Sequence, residues 1–371
     1  MSNKLYLLLL GMLLMGTACN RSNPDATIQI VKELPFREVA PTLIAIDQPE
    51  NGSLLHLSSF ASSAENVTLD TTKYGSPEGV FKIEFSNDGD FILLNTNQAK
   101  IYRYDSSGHF LNLIPGDDSM PQLINPVDFA YNPYNQHVFV LDNALNMILE
   151  YTLRGDFVRT KTPLPFGAIR IGFVDENHYC FYSNYSSEES ASGYNYHITD
   201  TLFNEVGRFE SCTPTKDSRI GFTQIFTYDG KHLIGKSPAS NYLYHITADS
   251  ITPLYQIEIN DDENWISEKN ADSLLHKRIN LKNIDCCERV YFADHYMIVH
   301  YFTATDGLTR YPKTIVYDRN TQETLSGDIL DNDLPLSEYD YYLAHRDNSL
   351  FNFRRANSKQ PNATIHVTHL K

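Results

Sequence analysis

Between residues 125 and 162 the chain carries four short apolar runs separated by turn residues. Val127, Phe129 and Tyr131 alternate with polar neighbours, the period of a half-buried strand, until Asn132-Pro133-Tyr134-Asn135 breaks the run. Val138-Phe139-Val140-Leu141 follows without alternation, as a strand covered on both faces does, and Asp142-Asn143 opens a loop. Residues 147–151 make a third run, Arg154-Gly155-Asp156 a tight turn whose glycine accepts positive φ, and Phe157-Val158 a fourth. Four antiparallel strands in about 40 residues form a meander that must stack against copies of itself to bury its two apolar faces.

The preceding stretch repeats this unit in constant register. Phe91-Ile92-Leu93-Leu94-Asn95 aligns with Val138-Phe139-Val140-Leu141-Asp142; without a gap, Ile101 falls on Ile148, Tyr104 on Tyr151, Gly108 on Gly155 and Phe110 on Phe157. The rhythm predicts further units over residues 167–211 and 221–259, from 288 onward and from 341 to the end, after the first two at 76–114 and 126–161. The expected fold is all-β, a six-bladed β-propeller of four-stranded antiparallel blades over residues 51–371. The sixth unit offers only three strands, and an open ring would expose unpaired backbone. A strand from within residues 54–69 is therefore expected to close it. Residues 265–280 have no β-branched run and place Ile266, Leu274, Leu275 and Ile279 near one side, which predicts one inter-blade helix.

Residues 1–19 carry a lysine, an apolar run too short for a usual membrane span, and small residues before Cys19, the pattern of a secretory signal. Thr17, Ala18 and Cys19 resemble a bacterial lipobox, with Gly16 where leucine is usual, so lipidation at Cys19 would hold the chain on a membrane by its acyl groups. An ordinary cleaved signal with an incidental cysteine is the alternative. Residues 20–50, polar and punctuated by proline, read as a tether. No acidic run follows Cys19, which favours an outer-membrane protein facing the periplasm over one displayed on the cell surface.

A formal charge of -16 makes nucleic acid an unfavoured partner. Of the cysteines past Cys19, the adjacent Cys286 and Cys287 would form a strained bond; free or partly paired buried thiols are expected of these two, Cys180 and Cys212. No CxxC pair, HExxH, Walker loop or GxGxxG occurs, and Gly235-Lys236-Ser237-Pro238-Ala239 lacks the final glycine of a nucleophile elbow. No catalytic residue, metal or cofactor is assigned.

In a meander blade the first-to-second and third-to-fourth connections share one face. Here these are tight, as at Asn87-Asp88-Gly89 and Ser106-Ser107-Gly108, whereas the opposite face holds nearly all the long loops. That elaborated face is where a binding site is expected. The candidate ligand-binding residues are Asn95, Asp142, Asn184, Tyr185, Tyr194, Tyr301, Arg310, Arg354 and Arg355. Asn and Asp could accept from hydroxyls or hold Ca²⁺, Tyr could cover an apolar or sugar face, and Arg could pair a carboxylate.

Residues 54–60, 67–69 ahead of Gly75, 91–94 leading into 101–111, and Asp128-Phe129 give the chain a resemblance to the six-bladed β-propeller lipoproteins of Gram-negative bacteria, a family similar to NHL and TolB-like propellers. Where that family often has a Gly-Pro-Gly-Glu-like turn, Pro115-Gly116-Asp117-Asp118 stands instead. The resemblance implies an exported, anchored propeller and supplies no catalytic residues. The function expected is non-catalytic binding of a glycan, peptide or partner protein on the elaborated face. The alternative is a Ca²⁺-dependent lactonase or hydrolase, for which Lys236, Tyr301 and Arg354 in the later blades make a poor cation cage.

Overall fold

The computed structural model of the chain describes residues 31–50, 52–145, 147–161, 164–183, 193–211, 224–236, 240–260, 265, 286–302, 313–335, 342–357 and 362–371. Four strands precede the repeats: β1 (Lys32–Glu33), β2 (Thr42–Asp47), β3 (Leu54–His56) and β4 (Ala61–Thr68). Blade 1 is β5 (Val80–Phe85), β6 (Phe91–Asn95), β7 (Lys100–Tyr104) and β8 (Phe110–Ile114). Blade 2 is β9 (Pro126–Asn132), β10 (His137–Asp142), β11 (Met147–Thr152) and β12 (Phe157–Lys161). Blade 3 is β13 (Arg170–Phe173), β14 (His178–Tyr182), β15 (Tyr194–Asp200) and β16 (Glu205–Ser211), and blade 4 is β17 (Phe226–Asp229), β18 (His232–Lys236), β19 (Tyr242–Ile246) and β20 (Ile251–Asn260). Blade 5 is β21 (Cys286–Ala293), β22 (Tyr296–Phe302), β23 (Lys313–Asp318) and β24 (Thr324–Gly327); β25 (Ile329–Asp331) then leads to β26 (Ala344–Arg346), β27 (Ser349–Arg354) and β28 (Thr364–Leu370) of blade 6.

Within each blade neighbouring strands pair antiparallel in sequence order. The first strands β5, β9, β13, β17, β21 and β26 touch one another in a closed cycle, which makes the molecule a six-bladed β-propeller with those strands around its axis. The fourth strand of blade 6 is β4, antiparallel to β28 from Thr364 opposite Thr68 to Leu370 opposite Ala61.

The remaining N-terminal strands correct the tether expected over residues 20–50. β1 runs parallel to β16 and β2 parallel to β20 along its whole length, adding a fifth, outer strand to blades 3 and 4. The physical reason is burial: Leu34, Ile44 and Ile46 are at most 6% exposed, so a segment polar in composition still has one apolar face to hide. Leu54 to His56 is likewise parallel to β25. Among the described residues the only helical element is the 3₁₀ turn Leu57–Ser59. The inter-blade helix expected over residues 265–280 lies outside the described residues, apart from Trp265, whose indole N–H donates to the Ile257 carbonyl at 2.9 Å.

The apolar core is not central; it is six slabs, one between each pair of adjacent blades. β6 shows how an unbroken apolar run serves this architecture: Phe91 and Leu93 face blade 6, Ile92 and Leu94 face blade 2. Burying one large apolar side chain is worth roughly 2 to 3 kcal/mol, against about 1 kcal/mol net for one ladder hydrogen bond. The stacked faces therefore hold the ring together more than the ladders do. The aligned glycines lock the stacking sterically. Gly108 has φ +87°, and a Cβ there would lie 2.1 Å from the Thr68 carbonyl oxygen of β4; Gly155 has φ +88°, and a Cβ would lie 2.5 Å from the Leu113 oxygen and the Gly116 nitrogen. Each turn thus rests directly on the outer backbone of the blade before it, and β4 plays for blade 1 the part that β8 plays for blade 2.

Cys180 is a free thiol, fully buried, and burial pushes its pKa well up. Cys287 is buried, while Cys212 and the Cys286 side chain lie outside the description.

Candidate functional site

The six inner strands enclose an axial cavity of about 750 Å³. Its wall runs from Phe81, Asp128, Arg170 and Gln224 near the starts of the inner strands to the first-to-second turns at Asn87, Tyr134, Gly230, Asp294 and Asp347. The cavity therefore reaches the plain face, the one with tight turns. Aromatic rings make much of the wall, including Phe81, Phe85, Phe173, Phe226 and Phe292.

Lys82 and Glu84 of β5 lie on this wall, and Ile83 packs into the slab against blade 6. Lys82 is the hub of a polar network. Its Nζ lies 2.9 Å from Glu84 Oε1, 3.1 Å from Asp128 Oδ1 and 2.6 Å from the Phe129 carbonyl oxygen. The other Asp128 oxygen accepts from the Ile171 amide at 3.0 Å, and Glu84 also accepts from the Tyr131 amide. One chain of contacts thus joins blades 1, 2 and 3. Burial opposes the charge on Lys82, but the Asp128 and Glu84 carboxylates outweigh it and raise the ammonium's pKa. Burial raises Glu84, with Lys82 pulling it back.

Other bonds between blades ring the axis. The Tyr228 hydroxyl of blade 4 accepts from the Phe173 amide of blade 3 at 2.8 Å, and burial raises its pKa. The Tyr228 carbonyl lies 2.9 Å from His345 Nε2 of blade 6. Burial pushes His345 down to about 4, so its ring is neutral at neutral pH and Nε2 donates to that carbonyl. At the mouth Arg319 of blade 5 pairs with Asp229 of blade 4 at 2.6 Å.

The residues selected from the sequence fall elsewhere. Asn95 is 0% exposed: its Oδ1 accepts from the Gln98 amide at 3.0 Å, and its Nδ2 donates to Gln98 Oε1 and the Glu78 carbonyl. Asp142, its counterpart in blade 2, is 1% exposed and accepts from four backbone amides, those of Ile124, Asn125, Ala144 and Leu145, at 2.7 to 3.1 Å. Both cap their own loops, because a short polar side chain at a strand end satisfies nearby N–H groups before it can reach a ligand. Tyr301 is 0% exposed, edge-on to Trp265 at 5.8 Å between blades 4 and 5. Tyr194 is half-buried under the Arg208 guanidinium, 4.5 Å from its ring centroid. Arg354 and Arg355 do come together, lining a separate cleft of about 320 Å³ with Gly79, Val80, Phe353 and Asn357. Asn184, Tyr185, Arg310 and Cys19 lie outside the described residues, as do most loops of the elaborated face.

Sequence reasoning missed Lys82, Glu84, Asp128, Arg170, Gln224 and Arg289. The signal was present: charged residues at period 2 inside apolar first strands, which look like a solvent-facing edge. Among the described residues no group of three or more His, Cys, Asp or Glu is placed to hold a metal ion.

Residues 41–362 match the family model described as a domain of unknown function, DUF4934. The chain belongs to the DUF4934 family. An exported-protein assignment attaches to one similar solved structure, from Bacteroides fragilis NCTC 9343, at TM-score 0.71 and 17% identity over 89% of this chain and 100% of that one. A DUF4221 member from Bacteroides vulgatus matches at TM-score 0.51 and 12% identity, over 84% of this chain and 97% of the other. The virginiamycin B lyase of Staphylococcus aureus is similar at TM-score 0.46 and 12% identity, over 83% and 99% of the two chains. The likenesses to the two Bacteroides structures concern the fold. No curated protein matches this DUF4934 chain.

Proposed function

We propose that this chain is an exported, non-catalytic binding protein that takes a small amphipathic ligand into the axial cavity. The observation that carries the reading is the wall itself: about 750 Å³ framed by aromatic rings and by charged side chains of both signs. A drug-sized or tripeptide-sized molecule fits that volume, and a few convergent polar groups in an apolar wall are what orient such a ligand. The Lys82, Glu84 and Asp128 side chains are held by one another, so they build and polarise the wall and do not act as a poised acid or nucleophile.

The signal ending at Cys19 supports export, and lipidation of that cysteine would keep the propeller at a membrane, in this reading the outer membrane facing the periplasm. Mass spectrometry of the membrane-associated protein tests this part: a diacylglyceryl-modified Cys19, lost in Cys19→Ser with release of the protein into the soluble fraction, is expected. For the cavity, thermal shift of residues 20–371 against panels of short peptides, aromatic acids and neutral oligosaccharides is the test. A saturable rise in Tm from small charged amphiphiles, matched by calorimetric binding near one per chain, is expected. A flat response to every panel, or stabilisation by neutral oligosaccharides alone, overturns the reading.

A further inference from the structure

Arg170 stands at the start of β13 on the cavity wall, only 8% exposed. Its Nη1 donates to the carbonyls of Ile169 at 2.7 Å and Val127 at 3.4 Å, and the guanidinium lies over the Phe81 ring, 5.1 Å from its centroid. No carboxylate pairs with it among the described residues. Asp128, the nearest acid by its effect, has one oxygen on Lys82 and the other on the Ile171 amide. A buried cation held by neutral carbonyls alone is costly, and the cost falls when an anion arrives.

A further donor shares this stretch of wall. Gln224, just ahead of β17, accepts from the Val290 amide through Oε1 at 2.9 Å, which fixes the amide's orientation and leaves both N–H groups of Nε2 without an acceptor among the described residues. Arg289 lies on β21 beside a break in register between Cys287 and Arg289, the kind of bulge that re-aims a side chain. The two guanidiniums feel each other: burial lowers the Arg170 pKa, Asp128 opposes this, and Arg289 adds to it.

We propose that Arg170 and Gln224, from blades 3 and 4, form a carboxylate seat in the axial cavity. The planar guanidinium takes a carboxylate side-on, Gln224 Nε2 supplies a neutral donor, and the ligand's apolar part lies along the aromatic wall. This rests on the reading of the cavity as a ligand site and narrows it to molecules bearing a free carboxylate, a peptide C-terminus or a small aromatic acid. Inorganic phosphate has no apolar part to lie along the aromatic wall and faces the Glu84 and Asp128 carboxylates, so it is expected not to compete.

The probes are 3-phenylpropionate and its amide, the tripeptide Ala-Phe-Ala with a free or an amidated C-terminus, and inorganic phosphate, each titrated calorimetrically into the wild type, Arg170→Gln and Gln224→Glu. Free acids should bind, their amides at least about tenfold more weakly, since a charge-assisted bond is worth that much. Arg170→Gln should lose the acid by at least about tenfold while leaving the amide unchanged. Gln224→Glu keeps an oxygen for the Val290 amide, supplies its own carboxylate to Arg170 and should abolish acid binding; it decides the question if Arg170→Gln does not fold. Preference for the tripeptide over 3-phenylpropionate identifies a peptide C-terminus, and the reverse a small acid. Acid and amide binding equally, acid binding that survives Gln224→Glu, or phosphate competing with the acid overturns the seat and leaves the cavity reading standing. If no acid or amide binds while other amphiphiles raise the Tm, the seat falls alone; if nothing binds at all, both readings fall.

Discussion

Replacing Lys82 with methionine keeps an unbranched apolar stem on the cavity wall and deletes the ammonium. Its Nζ now serves Glu84 at 2.9 Å, Asp128 at 3.1 Å and the Phe129 carbonyl at 2.6 Å, so three acceptors lose a donor at once. The Asp128 side chain is 1% exposed and has only the Ile171 amide left. Removing one member of a buried ion pair costs about 3 to 5 kcal/mol. The Lys82 and Glu84 side chains keep 24% and 18% exposure toward the cavity, and Glu84 is already raised by burial and can take up a proton. Water and that proton replace part of the lost bonding, which brings the expected loss to about 2 to 3 kcal/mol. Asp128→Asn removes the charge but keeps an oxygen for Ile171, and the double variant Lys82→Met/Asp128→Asn should cost about 1 kcal/mol less than the two singles added, because each single strands its partner. Urea denaturation at neutral pH of the four proteins measures this. Strictly additive losses, or a Lys82→Met loss under about 0.5 kcal/mol, the scale of an ordinary exposed pair, would refute an axial network that ties blades 1, 2 and 3 together.

Three further outcomes can be checked by the same denaturation assay. Gly155→Ala should cost more than about 2 kcal/mol, since φ of +88° is strained for alanine and its Cβ would sit 2.5 Å from backbone atoms of blade 1; Gly75→Ala, φ +76° with nothing within 4 Å, isolates the strain alone at about 1 kcal/mol, and equal losses would contradict the contact argument. Deleting residues 50–70 removes β4, the strand that pairs with β28 and carries the Gly108 turn, so cooperative unfolding should vanish; a truncated chain that melts like the parent would contradict closure through β4. Burial holds His300 down to about 3, with Arg289 adding to the effect, and His345 down to about 4, whereas in the unfolded chain both titrate near their usual value of 6.5. Below that pH the unfolded chain takes up protons that the folded one refuses. Stability is therefore complete above about pH 6.5 and declines as pH falls toward 4, by up to about 1.4 kcal/mol per pH unit for each histidine; midpoints unchanged between about pH 7.5 and 5 would show that the rings are not buried as neutral bases.

The Asn95 and Asp142 side chains illustrate why site residues are hard to read from one sequence. Their positions in the repeat were correct to the residue, yet a carboxylate that accepts four amides has no capacity left for a ligand, and nothing in the letters distinguishes a loop cap from a ligand holder. Tyr301 is not a surface residue for a related reason: β22 is covered on both faces, one of them by Trp265, which opens the stretch between the fourth and fifth units.

What the sequence determined by itself was the local alphabet of the fold: runs of period 2, unbroken apolar second strands, and glycines at Gly108 and Gly155 where the turn demands positive φ. Those features depend on neighbours a few residues away, so they survive in one dimension. Which face of an inner strand counts as solvent was settled only when six strands closed around an axis. Lys82 and Glu84, Asp128 and Arg170 look like members of hydrated edges when each strand is considered alone. The closed ring gathers them into one enclosed space, where charges as far apart in the chain as Lys82 and Asp347 share a single wall. The tertiary structure also decided that residues 32–47 flank blades 3 and 4, because a strand edge left open on the far side of the ring is a partner that local composition cannot announce.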